Sequence, residues 1–189
     1  MIITISGTPG AGKSSIAKII EQELKATRVY AGSIMREKAR AQSITLQELA
    51  TQAEKNPRID EEVDREVAAM AHKSDDQKKI IIVEGRVQFH LIPKSIKIFI
   101  TVSPEEGAKR IYQDLCNPQK NKERNEGTIK TTKEQVLEET QKRQEQDRAR
   151  FQKLYKIDYT DPANYDLIID TTSITLKEAA EQIIEYIKQ

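Results

Sequence analysis

Gly7-Thr8-Pro9-Gly10-Ala11-Gly12-Lys13-Ser14 satisfies the pattern G-x-x-x-x-G-K-[ST] at every fixed position. Its glycines let the backbone curl so that successive N–H groups point into one concavity, and a following helix adds partial positive charge there. In such a loop the lysine reaches the β- and γ-phosphates of a nucleotide, and the Ser14 hydroxyl faces Mg²⁺. Gly7, Thr8, Pro9, Gly10, Ala11, Gly12, Lys13, Ser14 and Ser15 are therefore the candidate binding site for ATP. A glycine turn that binds nothing is the alternative. Against it stand the β-branched run Ile2-Ile3-Thr4-Ile5 before the motif and the helical spacing of Ile16, Ile19, Ile20 and Leu24 after it.

Three further groups could act on phosphate. Glu84-Gly85-Arg86 closes an apolar run, where a strand-end carboxylate suits the water shell of Mg²⁺ beside Ser14 and an arginine suits a phosphate. In a helix beginning near Lys133, Val136, Arg143, Asp147, Arg150 and Leu154 fall within about 60° of arc. Two arginines on an inward stripe call for an anion, and Asp147 can accept from a hydroxyl or brace a guanidinium. A solvated helix with incidental charge is the alternative reading of that stripe. Arg36, after Ala31-Gly32-Ser33-Ile34-Met35, is a weaker candidate for a second phosphate. No cysteine pair or histidine cluster is present for covalent or zinc chemistry: Cys116 is the sole cysteine and His72 and His90 the sole histidines. A phosphate cradle, a metal-facing hydroxyl and carboxylate, and several arginines suit phosphoryl transfer, which needs positioning and charge neutralisation more than a protein nucleophile.

These groups need a scaffold, and 189 residues suffice for one α/β domain. Strands are predicted at Ile2–Ile5, Arg28–Ala31, Lys79–Glu84, Ile96–Thr101 and Leu167–Asp170, separated by helical patterns, which indicates a five-stranded parallel sheet. Residues 33–78 lack a strand signal and read as two or three helices, one capped by a Thr45/Glu48 box and the next by Asp60. Residues 113–132, with Asn117-Pro118, Asn121, Asn125 and Gly127, have the composition of a polar loop long enough to be a lid. A Thr175/Glu178 box opens a last helix with an apolar face of Ala179, Ala180, Ile183, Ile184 and Ile187. With 31 basic against 30 acidic residues, the charge argues against a protein whose main role is coating nucleic acid, and any basic site must be local. No apolar run suits a membrane span and no leader pattern opens the chain, so a cytoplasmic location is expected.

The chain resembles the short form of the cytidylate kinases, within the nucleoside-monophosphate kinases of the P-loop class. The resemblance runs from the opening motif through Tyr30–Glu37, Asn56–Asp60, Val63–Arg65, Glu84–Arg86 and Arg143/Asp147/Arg150 to Tyr165–Thr171. It implies a P-loop three-layer α/β fold, with a core of residues 1–32, 79–112 and 133–189, a helical acceptor-binding insertion at 33–78 and a lid at about 113–132. It implies that Arg36, Arg86, Arg143 and Arg150 hold the acceptor phosphate and the transferring group, with Lys13, Arg86, Arg143 and Arg150 as the catalytic set. Asp147 would contact the acceptor or orient the arginines, Arg110 would lie near the donor adenine, and Ser14 with Glu84 would serve Mg²⁺. The expected reaction transfers phosphate from ATP to CMP or dCMP. The expected partners are those nucleotides, with no nucleic acid, no membrane and a monomeric chain. Two positions depart from the family pattern: Ser33, where relatives often carry Asp, and Val87, where longer members place an acid. Another monophosphate, a small metabolite, or a nucleotide-driven assembly role on the same fold stay open at this stage.

Overall fold

A computed structural model describes residues 1–75, 79–124 and 132–189, with 72–75 as backbone only. Along the described residues the order is β1 (Ile2–Gly7), α1 (Lys13–Leu24), β2 (Thr27–Tyr30), α2 (Ala31–Ala41), α3 (Leu46–Lys55) and α4 (Arg58–Asp75). There follow β3 (Ile81–Glu84), α5 (Gln88–Leu91), β4 (Ile96–Thr101), α6 (Pro104–Cys116), α7 (Pro118–Arg124), α8 (Lys133–Tyr155), β5 (Leu167–Asp170) and α9 (Leu176–Ile187). The five strands pair parallel in the order β2-β3-β1-β4-β5. β1 is central and buried at every residue, so apolar side chains are needed on both its faces. One face packs with α1 and α9 through Ile16, Ile20, Ala179, Ala180 and Ile183; the other packs Val63, Val67 and Ala71 of α4. An aromatic cluster of Phe89, Phe99, Phe151 and Tyr159 seats α8 and the chain after it.

This order makes the chain leave the sheet in opposite directions on either side of β1, and the crevice at the carboxyl ends is where open α/β sheets take ligands. The phosphate loop leaves β1 there, and Glu84-Gly85-Arg86 leaves β3 beside it. Two glycines are needed for the loop's path. Gly12 caps α1 at φ 82°, and Gly10 has φ 76° with the carbonyl of Gly107 only 2.4 Å from where a Cβ would stand.

Several boundaries differ from the expectations. Lys79 and Ile80 precede β3, because the neighbouring strands pair with it only from Ile81 onward. Ala31 opens α2 and does not extend β2, and the helical stretch expected at 33–78 starts two residues earlier. Asp60 is no cap: α4 begins at Arg58, and Asp60 turns inward from its first turn. Residues 113–116 complete α6, and 118–124 form α7 where a polar loop was expected. Pro118 tolerates the first helical position, and the Asn117 side chain accepts from the N–H groups of Gln119 and Lys120. The remainder of that stretch, 125–131, lies outside the described residues, as does the side chain of His72. Both capping boxes form as expected. Among the described residues no helix is long and apolar enough to cross a membrane.

Candidate active site

Lys13 is the first residue of α1, and its Nζ folds back to donate to the carbonyls of Gly7 at 2.9 Å and Thr8 at 2.7 Å. Burial, then the charge of Arg86, with smaller pushes from Arg143 and Arg124 and with Glu84 opposing, lower its ammonium pKa to about 7. Arg86, Arg143 and Arg124 thus all lie within electrostatic reach of Lys13 at the mouth of the sheet. A phosphate among them would be attracted by all four and would restore the charge on Lys13.

Glu84 ends β3 fully buried, with Arg28 Nε of β2 3.3 Å from its Oε1. Burial raises its carboxyl pKa, while Arg28, the Ser14 hydroxyl and Lys13 pull it down. Arg28 also donates to the Ser14 carbonyl at 3.0 Å, so one guanidinium ties the carboxylate to the base of the loop. A buried carboxylate beside a serine hydroxyl is a hard-oxygen pair, and the donor set fits Mg²⁺ through one or two protein oxygens plus water and phosphate.

The helix carrying Arg143, Asp147 and Arg150 is α8, and its charged stripe turns inward: Asp147 and Arg150 are largely buried and Arg143 is half-buried. Asp147 is buried, accepting from Arg86 Nε at 2.6 Å through one oxygen and from Arg150 at 2.9 Å through the other. Burial alone would raise the Asp147 carboxyl, but Arg86, Arg150 and Arg143 outweigh it and hold it below the usual carboxylate range. Arg86 meets the same contest: burial pulls its pKa down and Asp147 more than restores it. Its guanidinium lies over the Tyr159 ring and reaches the Gly7 carbonyl at 3.4 Å, joining α8 to the phosphate loop. Arg150 Nε also stands 2.9 Å from Asp60 of α4, an ion pair reaching across to the helical stretch 31–75. Burial raises the Asp60 carboxyl, opposed by Arg150 and reinforced by Asp147.

The other two arginines stand at the margins. Arg36 donates to Tyr30 Oη at 2.9 Å, to the Gly32 carbonyl at 3.0 Å and to the Arg124 carbonyl at 3.0 Å, so α2 meets the end of α7 there. Arg110 sits on the opposite side, donating to Thr171, whose hydroxyl touches the carbonyls of Ala11 and Thr101. It does not join the other arginines; it borders the phosphate loop through Thr171. Of the two departures from the family pattern, Ser33 donates to the Tyr30 carbonyl at 2.7 Å and Val87 is buried in the aromatic cluster. Val87 therefore faces core. Arg28 and Arg124 were not foreseen as site residues. Arg124 lay in a stretch whose composition suggested loop, and Arg28 had no neighbour in sequence to betray its carboxylate.

The parallel sheet, its order and the glycine loop leading into α1 define a P-loop nucleotide-binding protein of the small-kinase type. The family model described as "AAA domain" matches residues 3–131. A protein named cytidylate kinase from Archaeoglobus fulgidus is 32% identical over 189 residues, covering 100% of this chain and 95% of that protein. An S-adenosylmethionine-dependent nucleotide dehydratase from Lacinutrix mariniflava is 31% identical over 97% of this chain, which spans 35% of that longer protein. In fold, the chain is similar to shikimate kinase from Bacteroides thetaiotaomicron, with a TM-score of 0.62 at 14% identity, covering 100% and 99% of the two chains. The chain belongs to the cytidylate kinase family.

Proposed function

We propose that this protein transfers the γ-phosphoryl group of ATP to CMP or dCMP. The observation that carries the reading is Asp147, buried between Arg86 and Arg150 and tied through Arg86 to the phosphate loop. A carboxylate so placed aims two guanidiniums without spending their remaining N–H groups, which leaves donors for an acceptor phosphate in line with the loop.

In this reading the loop N–H groups and the α1 terminus hold the donor phosphates. Lys13 exchanges its carbonyl partners for the β- and γ-phosphates and gains full charge as it does so. Ser14 and Glu84 would hold Mg²⁺, which when bound neutralises charge across the donor phosphates. Arg86, Arg143 and Arg150 receive the acceptor phosphate and the transferring group, and Asp147 fixes their orientation. Arg110 borders the donor nucleoside side of the loop. Residues 33–78 act as the acceptor-binding insertion and 113–132 as the lid, with Arg36 and Arg124 meeting between them. Closure there would exclude water from the transfer.

The test is a panel of acceptors with labelled ATP and Mg²⁺. CMP and dCMP should be phosphorylated well ahead of the others. Strong preference for AMP, UMP or a sugar would overturn the cytidine assignment. ATP binding with no transfer to any acceptor would favour the assembly role. The chain is expected to act as a monomer in the cytoplasm.

A further inference from the structure

Asp64 touches none of the residues assigned a role so far, yet it is buried on α4 and joins the elements that carry them. One of its oxygens accepts from Gln88 Nε2 at 2.8 Å, the other from Tyr155 Oη at 2.5 Å. Gln88 is itself buried, and its Oε1 accepts from the N–H of Val87 at 3.2 Å, the peptide directly after Arg86. The same amide folds over Gly85: a Cβ there would lie 1.7 Å from Gln88 Oε1. The turn presenting Arg86 is therefore moulded on Gln88, and Asp64 fixes which way that amide points. Tyr155 ends α8, five residues beyond Arg150. One turn back along α4, Asp60 pairs with Arg150.

We infer that Asp64 is a positioning residue for the acceptor site, setting Arg86 through Gln88 and the arginine face of α8 through Tyr155. Burial, reinforced by Asp60, pushes its carboxyl up to about 6 against the pull of the Tyr155 and Gln88 hydrogen bonds and of Arg150. A buried carboxylate that only held the fold would affect both nucleotides alike. Asp64 is attached to the acceptor half, while the phosphate loop is built from β1 and α1. Its removal should therefore weaken the acceptor's binding far more than that of ATP.

The inference rests on the reading of Arg86 and Arg150 as acceptor arginines, and the test separates the two. Asp64→Asn keeps shape and removes the charge. Acceptor KM and the calorimetric affinity for the monophosphate that the wild type uses should weaken about tenfold, with ATP KM within about twofold. Tyr155→Phe, which removes one hydroxyl from a half-buried ring, should shift acceptor KM in the same direction by about threefold. Unchanged acceptor affinity in Asp64→Asn, or equal losses for acceptor and ATP, overturns the inference alone. A wild type that binds no monophosphate overturns both it and the proposed reaction. Should Asp64→Asn fail to fold, Tyr155→Phe decides by the same criteria.

Discussion

Asp147→Asn isolates the charge at the centre of the site without changing its shape. The carboxylate bonds Arg86 at 2.6 Å and Arg150 at 2.9 Å, and those side chains are only 18% and 10% exposed. Removing the anion leaves two guanidiniums largely buried without it, a change that typically costs 3–5 kcal/mol. Solvent reaches part of Arg86 and Asp60 still pairs with Arg150, so the low end, about 3 kcal/mol, is expected. For a domain of this size that lowers Tm by about 6–12 °C. The sign with pH follows from Asp147 titrating below its ordinary value. Its stabilisation is complete above the unfolded carboxylate's pKa and lost as pH falls through the lower folded one. The gap between variant and wild type should hold from about pH 5 to 8 and close in acid. Inorganic phosphate should raise the variant's Tm more than the wild type's, because the guanidiniums have lost their resident anion. Scanning calorimetry with and without phosphate measures all of this. A variant melting within about 2 °C of wild type, or one that phosphate stabilises less, would refute the reasoning.

Lys13→Ala should cost roughly a hundred- to a thousandfold in turnover while far-UV circular dichroism stays native, since the ammonium bonds only loop carbonyls. With the Lys13 ammonium depressed to about 7, Mg·ATP binding at pH 8 should take up roughly one proton. Calorimetry in buffers of different ionisation enthalpy reads that uptake, and a zero slope would count against it. The unliganded chain should gain stability from this group as pH rises from about 7 toward 10.5, because the unfolded lysine holds its proton across that window. Glu84→Gln should weaken Mn²⁺ binding, followed by electron paramagnetic resonance with a non-hydrolysable ATP analogue, by about tenfold or more.

The phosphate loop, the parallel sheet and both capping boxes were legible in the sequence because each is a local matter. A glycine at φ 82°, a run of β-branched residues, or a Thr-x-x-Glu box needs only near neighbours to act. The stripe on α8 was legible as a pattern and ambiguous as chemistry. Periodicity set Arg143, Asp147 and Arg150 on one side, but whether that side met water or protein depended on where α8 docked. Helix α7 escaped notice because its polar residues suit loop or surface helix equally, and the Asn117 cap decided between them.

What only the tertiary structure decided is which charges meet. Arg28 finds Glu84 because β2 and β3 are adjacent, although fifty-odd residues separate them in sequence. Asp60, far from being a helix cap, finds Arg150, and Asp64 finds Gln88 and Tyr155, once α4 and α8 close over the same end of the sheet. Such pairs leave no local trace because Coulomb and hydrogen-bond energies depend on separation and desolvation in space. The sequence determined that a glycine-rich turn ending in Lys13-Ser14 stands between a buried strand and a helix. The packing of three distant elements decided that the loop shares its cleft with braced arginines.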